Sequence, residues 1–177
     1  DFFMCESWVI LSLIVGFSIV VIFFVQESFL RIENEWQIKI LSSWKNNNFL
    51  KLTNLTNKNY VKVCVLRPYE SDIINNSNLN ELNLMNNYLK KISYIGDEGH
   101  WALVTLIDDK VEMFKFKRNQ VDISYLGLNV KINFPKNFDE KDCMEFKNGF
   151  LYQFENENRK FIIFGERKWT SPHYKRS

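Results

Sequence analysis

The sequence predicts an α+β chain: a single N-terminal transmembrane helix, followed by a small domain with a mainly antiparallel sheet and one packed helix. Three observations carry that expectation. Trp8 to Val25 is an eighteen-residue run without a charge. One stretch, from Leu82 to Ile92, places apolar residues at helical spacing. Most of the chain beyond Gly99 alternates apolar with polar residues, or is apolar throughout, over the short lengths that strands use. Composition agrees: 46% hydrophobic and 16% aromatic residues, with 6 Gly and 3 Pro, supply a core and exclude disordered or collagen-like chains. A net charge of +2 gives no electrostatic reason to expect nucleic acid.

At 1.5 Å per residue the apolar run covers about 27 Å, close to the roughly 30 Å of bilayer hydrocarbon. Residues 1–27 therefore read as a retained anchor, contacting the lipid bilayer through residues 8–25. A cleaved signal peptide would want a basic start, a shorter apolar core and small residues at its exit. Here Asp1 and Glu6 precede the run, and Phe23, Phe24 and Val25 end it. Lys and Arg are missing before the run, while Arg31, Lys39 and Lys45 come after it. Taken literally, that asymmetry puts the C-terminal domain in the cytoplasm. The count starts at Asp1, and one or two basic residues upstream would cancel it.

Residues 28–59 read as an amphipathic helix and an Asn-rich connection. Phe29, Ile32, Trp36, Ile40 and Trp44 recur at spacings of three and four. Residues 36–40 also fit an alternating strand, and the aromatic residues suit either the lipid headgroups or the domain surface. The six asparagines between Lys45 and Asn59 favour turns over a regular element. Residues 60–166 form the predicted α+β domain. Tyr60 to Leu66 is a β-branched strand stopped before Pro68. Asn78 and Glu81 resemble a capping box, opening a helix whose face is Leu82, Met85, Leu89 and Ile92 and which ends before Gly96. His100 to Ile107 is a central strand, and Asp108 to Lys110 turn into a strand from Val111 to Lys117. Val130, Ile132 and Phe134 alternate with polar residues, as do Phe150, Tyr152 and Phe154; Glu155 to Asn158 then turn into Phe161 to Phe164. Removing Asp1, Glu6 and Glu27 from the 21 acids leaves 18 against 23 bases, so the part after the anchor is mildly basic. Residues 167–177 are a solvated basic tail.

Few residues suggest chemistry. Cys64 and Cys143 form a disulfide if the domain is exported, worth about 3–4 kcal/mol in the chain-entropy model; in the cytosol both remain half-buried thiols. Three cysteines without a C-x-x-C pair argue against structural zinc. Cys64 precedes His100, the order found in papain-like amidases of the cell-wall hydrolase type. A nucleophilic thiolate needs exposure at a helix N-terminus, however, and Cys64 lies mid-strand between two valines. Glu98 and His100 lack a third metal ligand nearby, and Asp108 and Asp109 suit a hairpin turn better than paired catalysis. Asn54-Leu55-Thr56 and Asn75-Asn76-Ser77 match the glycosylation sequon, which matters only on a eukaryotic secretory route. Catalytic residues, cofactors and metals are therefore not expected, and binding is what remains. Tyr69, Glu70, Asp97, Glu98, His100 and Trp101 are candidate partner-binding residues, aromatic anchors beside acidic groups; the competing reading makes Trp101 core and the acids solvated.

The segments VCVLRPYESD (63–72), GDEGHWALV (96–104), VEMFKFKR (111–118) and DCMEFKNGFLYQF (142–154) together resemble small membrane-anchored immunity proteins of Gram-negative secretion systems. The similarity spans roughly residues 60–165 and lies in the overall pattern. It implies a single-pass membrane protein whose periplasmic, non-enzymatic domain binds a secreted toxin and blocks it sterically. Periplasmic exposure conflicts with the literal charge count. The alternative expectation is an accessory subunit whose partners are the other subunits of a larger membrane complex.

Overall fold

A computed structural model describes residues 35–74, 80–124 and 137–167. The apolar run, Phe29, Ile32, Asn78, the alternation at residues 130–134 and the tail beyond Arg167 lie outside the described residues. Among the described residues no helix is long and apolar enough to cross a membrane.

The described fold is α+β, with antiparallel pairing dominant and two helices. Helix α1 covers residues 35–42. The strands are β1 (Asn48–Lys51), β2 (Lys62–Leu66), β3 (His100–Ile107), β4 (Lys110–Lys117), β5 (Asp122–Ile123), β6 (Phe138–Glu140), β7 (Cys143–Glu145), β8 (Gly149–Asn156) and β9 (Arg159–Arg167), and helix α2 (Asn80–Lys91) lies between β2 and β3. They make two sheets where the sequence suggested one. The first runs β1-β8-β9-β5, with β6 also against β9; the second runs β4-β3-β2-β7. All pairings are antiparallel except β5 with β9. Between β6 and β7 only Lys141 and Asp142 intervene, so the chain passes directly from one sheet to the other.

The inner strands of the second sheet explain their unbroken apolar sequence. Trp101 and Leu103 of β3, with Val63 and Val65 of β2, face Leu151, Ile162 and Phe164 of the first sheet. Ala102, Val104 and Leu106, with Cys64 and Leu66, face Leu82, Met85 and Leu89 of α2. A strand buried on both faces has no solvent side on which to alternate.

Several expectations need correction. Residues 36–40 are helical, as their spacing predicts, and Trp36 packs on the domain rather than at lipid headgroups. Trp36 stacks on Phe114 with ring centroids 4.0 Å apart, and Ile40 is fully buried. The core thus begins upstream of residue 60. The Asn-rich stretch contains β1, in register with β8 from Asn48↔Gln153 to Lys51↔Phe150. Leu50, Leu52 and Leu55 supply the buried surface that overrides the local turn preference of the asparagines. Ile92 falls beyond the end of α2 and is exposed, because the helix stops at Lys91 in a Schellman-type cap. The Tyr94 N–H reaches the Leu89 carbonyl, the Ser93 N–H reaches that of Lys90, and Ser93 itself takes φ 50°.

Candidate functional site

Two connections meet at one end of the second sheet. The first comes after β2. Pro68 disfavours continuation, and the chain turns with the Glu70 N–H bonded to the Arg67 carbonyl at 3.1 Å. The Glu70 carboxylate accepts from the Arg67 N–H at 2.7 Å and closes the turn. Tyr69 in its middle adopts φ 68°, a left-handed backbone that a bulky residue rarely occupies. The second connection leads from α2 to β3. At Gly96 it runs so close to the first that an added Cβ would stand 2.3 Å from the Glu70 carbonyl oxygen. Only glycine fits there, and the Gly96 N–H also donates to Ser71 Oγ at 3.2 Å.

The second connection is then fixed by a short polar network. Asp97 Oδ1 accepts from the Gly99 N–H and meets His100 Nδ1, both at 2.8 Å. The hydrogen bond with His100, helped by the Gly99 N–H, holds the Asp97 carboxyl below the usual aspartate range. Arg118, just past β4, donates to the Glu98 carbonyl at 2.8 Å. Its Nε and Nη2 grip the buried Asp122 carboxylate at 2.7 and 2.9 Å, and this pairing keeps the guanidinium firmly protonated. Local desolvation and the nearby Glu98 carboxylate raise the Tyr69 hydroxyl above its ordinary value.

Tyr69, Glu70, Asp97, Glu98 and His100 are thereby brought to one face. Trp101 is not. It is fully buried, stacks on Phe116 at 4.1 Å, and donates its indole N–H to the Val121 carbonyl at 2.9 Å. As the second residue of β3 it takes the parity that points between the sheets, so it presents nothing to a partner. Ile95 was missed by sequence reasoning and belongs to this face. It is 77% exposed and precedes Gly96, whose backbone packs on that of Tyr69 and Glu70; Tyr69 is 67% exposed. Its only signal in the sequence was an isolated apolar residue in a polar connection.

The cysteines lie elsewhere. Cys64 and Cys143 are directly opposite in the β2–β7 pairing and joined as a disulfide, with Cα atoms 4.1 Å apart. Hydrogen bonds from the Val65 N–H to Asp142 and from the Phe146 N–H to Val61 flank them. That makes Cys64–Cys143 a non-hydrogen-bonded pair, the position where facing side chains approach most closely. With its sulfur bonded and its side chain under α2, Cys64 offers no thiolate to His100. Among the described residues no three His, Cys, Asp or Glu side chains gather as a metal cage. What the arrangement offers is a rigid surface with a tyrosine, an isoleucine and an acidic border. No protein-family model matches the chain, and no curated protein or solved structure matches it either.

Proposed function

We propose that the chain is a membrane-anchored, non-enzymatic protein-binding domain of the immunity-protein kind, gripping a secreted toxin through the Tyr69–Ile95 face. The observation that carries this reading is Tyr69: a large ring, 67% exposed, on a left-handed backbone that Gly96 and Glu70 hold in place. Strain kept at an exposed aromatic residue is better explained by what the ring touches than by stability. Rigid aromatic anchors inside a polar border are what protein interfaces use. The apolar run at residues 8–25 supports the anchor. The Cys64–Cys143 disulfide supports exposure on an oxidising side of the membrane, such as the periplasm, because cytosolic thiols are kept reduced.

The test is purification from the native membrane after mild cross-linking, with mass spectrometry of what accompanies the chain. A single secreted toxin that is lost from Tyr69→Ala and Ile95→Ser variants, both still folded, is the expected result. Several stoichiometric membrane proteins, retained by both variants, would sink the reading and make the chain an accessory subunit of that complex.

A further inference from the structure

Strand β4 is the longest sheet edge among the described residues. It has eight residues, whereas β1, β5, β6 and β7 have four, two, three and three. Its register fixes which backbone groups point outward. The Arg118 N–H bonds the Gly99 carbonyl at 3.0 Å, and β3 and β4 continue in the same register through Trp101↔Phe116, Leu103↔Phe114, Thr105↔Glu112 and Ile107↔Lys110. These residues exchange the ladder bonds, so Val111, Met113, Lys115 and Lys117 turn their N–H and C=O groups away from the sheet. Lys117 is already satisfied: its N–H reaches Gln37 Oε1 at 3.3 Å, and its carbonyl accepts from Gln120 and Val121. Val111, Met113 and Lys115 find no backbone partner on that side among the described residues.

We propose that this edge is a docking site for an extended acidic segment of a protein partner, which adds to the second sheet as a further strand beside β4. Main-chain bonds to Val111, Met113 and Lys115 would hold it, as in strand addition generally. Charge selects the occupant. The edge carries Lys110, Lys115 and Lys117, while its one acid, Glu112, is held by Lys58 Nζ at 2.7 and 2.8 Å. A second copy would add three more lysines to the same seam; an acidic strand would neutralise them. The inference rests on the binding reading above only in taking the partner to be a protein, and it says how that partner is gripped.

The experiment is residue-resolved amide hydrogen exchange of the whole 177-residue chain in a mild non-ionic detergent. The probe is an end-capped heptapeptide of alternating Glu and Val, with the matching Lys and Val peptide as control. Exchange at Val111, Met113 and Lys115 should slow roughly tenfold with the acidic probe alone, while Glu112 and Phe114 stay as they were. Met113→Pro removes an outward N–H and leaves the ladder bonds intact, at the cost of a buried side chain, and should abolish the protection. Should that variant fail to fold, Lys115→Glu with Lys117→Glu keeps every backbone bond and should switch the preference to the basic probe. Unchanged exchange at saturating acidic probe, or equal protection by both probes, overturns the proposal. Protection that appears without probe and grows with protein concentration overturns it too, assigning the edge to a second copy. Neither outcome bears on the Tyr69 face, whose variants report separately.

Discussion

Tyr69 and Glu112 show what single side chains contribute. At φ 68° a Cβ is crowded by its own backbone, and glycine alone escapes this. Tyr69→Gly should therefore be more stable than Tyr69→Ala by about 1 kcal/mol in urea unfolding, although both lose the ring. Equal stabilities would mean that the backbone relaxes and no strain is stored. Glu112 is governed by charge. Burial alone would raise its carboxyl, but hydrogen bonds from Lys58 and Tyr60, and the Lys58 charge, outweigh it and hold the group below the usual glutamate range. A depressed acid stabilises the fold above its unfolded pKa, and that contribution drains away as pH falls through the folded value. Melting temperature should thus fall as pH drops below the ordinary glutamate range, and Glu112→Gln should flatten that limb. Parallel acid limbs for the two proteins would refute it. Tyr60, buried against the same carboxylate, has its own hydroxyl pushed far above the tyrosine range.

Among the elements, α1 and β5 are held by contacts with residues distant in sequence. Helix α1 contributes Trp36, which lies on Phe114 and meets Tyr60 and Phe146 with centroids 6.0 Å away. Trp36→Ala should cost about 3–5 kcal/mol in chemical denaturation, the range for emptying a buried aromatic site. A change under about 1 kcal/mol would place the helix outside the cooperative unit. Strand β5 has only two residues and depends on its buried Asp122, which Arg118 and Arg159 hold from the strand's two flanks.

For the whole molecule, the β6–β7 passage decides how the two sheets are joined. Arg67 spans it, binding Glu140 in the first sheet at 2.9 Å and Asp142 beyond it at 2.5 Å. The disulfide closes 79 residues of sequence and ties β7, an edge strand of three residues, to β2. Replacing both cysteines by alanine should lower stability by about 3–4 kcal/mol. Reductant should lower the melting temperature of the natural chain and leave that of the double variant unchanged. A natural chain indifferent to reductant would show the bond to be absent in solution.

Where burial is two-sided or strictly alternating, the sequence alone determined the element. The limits of β3 are those read from HWALVTLI, and the β8–β9 hairpin comes from Phe150, Tyr152 and Phe154 with a turn at Glu157 and Asn158, both at positive φ. The α+β class came from these strands and the Leu82, Met85 and Leu89 stripe. Five of the six expected partner residues do share a surface, because Pro68, Gly96 and the strand ends already marked two connections as turns. Only tertiary structure decided the rest. Parity within β3 sent Trp101 inward, a consequence of which sheet lies on which side. Strands β1, β5, β6 and β7 are too short for periodicity to declare them, and their partners are distant in sequence. The split into two sheets, the pairing of Cys64 with Cys143 and the choice of which β4 residues face away from β3 all depend on register. Register is fixed by burial across the whole core, which no local window of sequence contains.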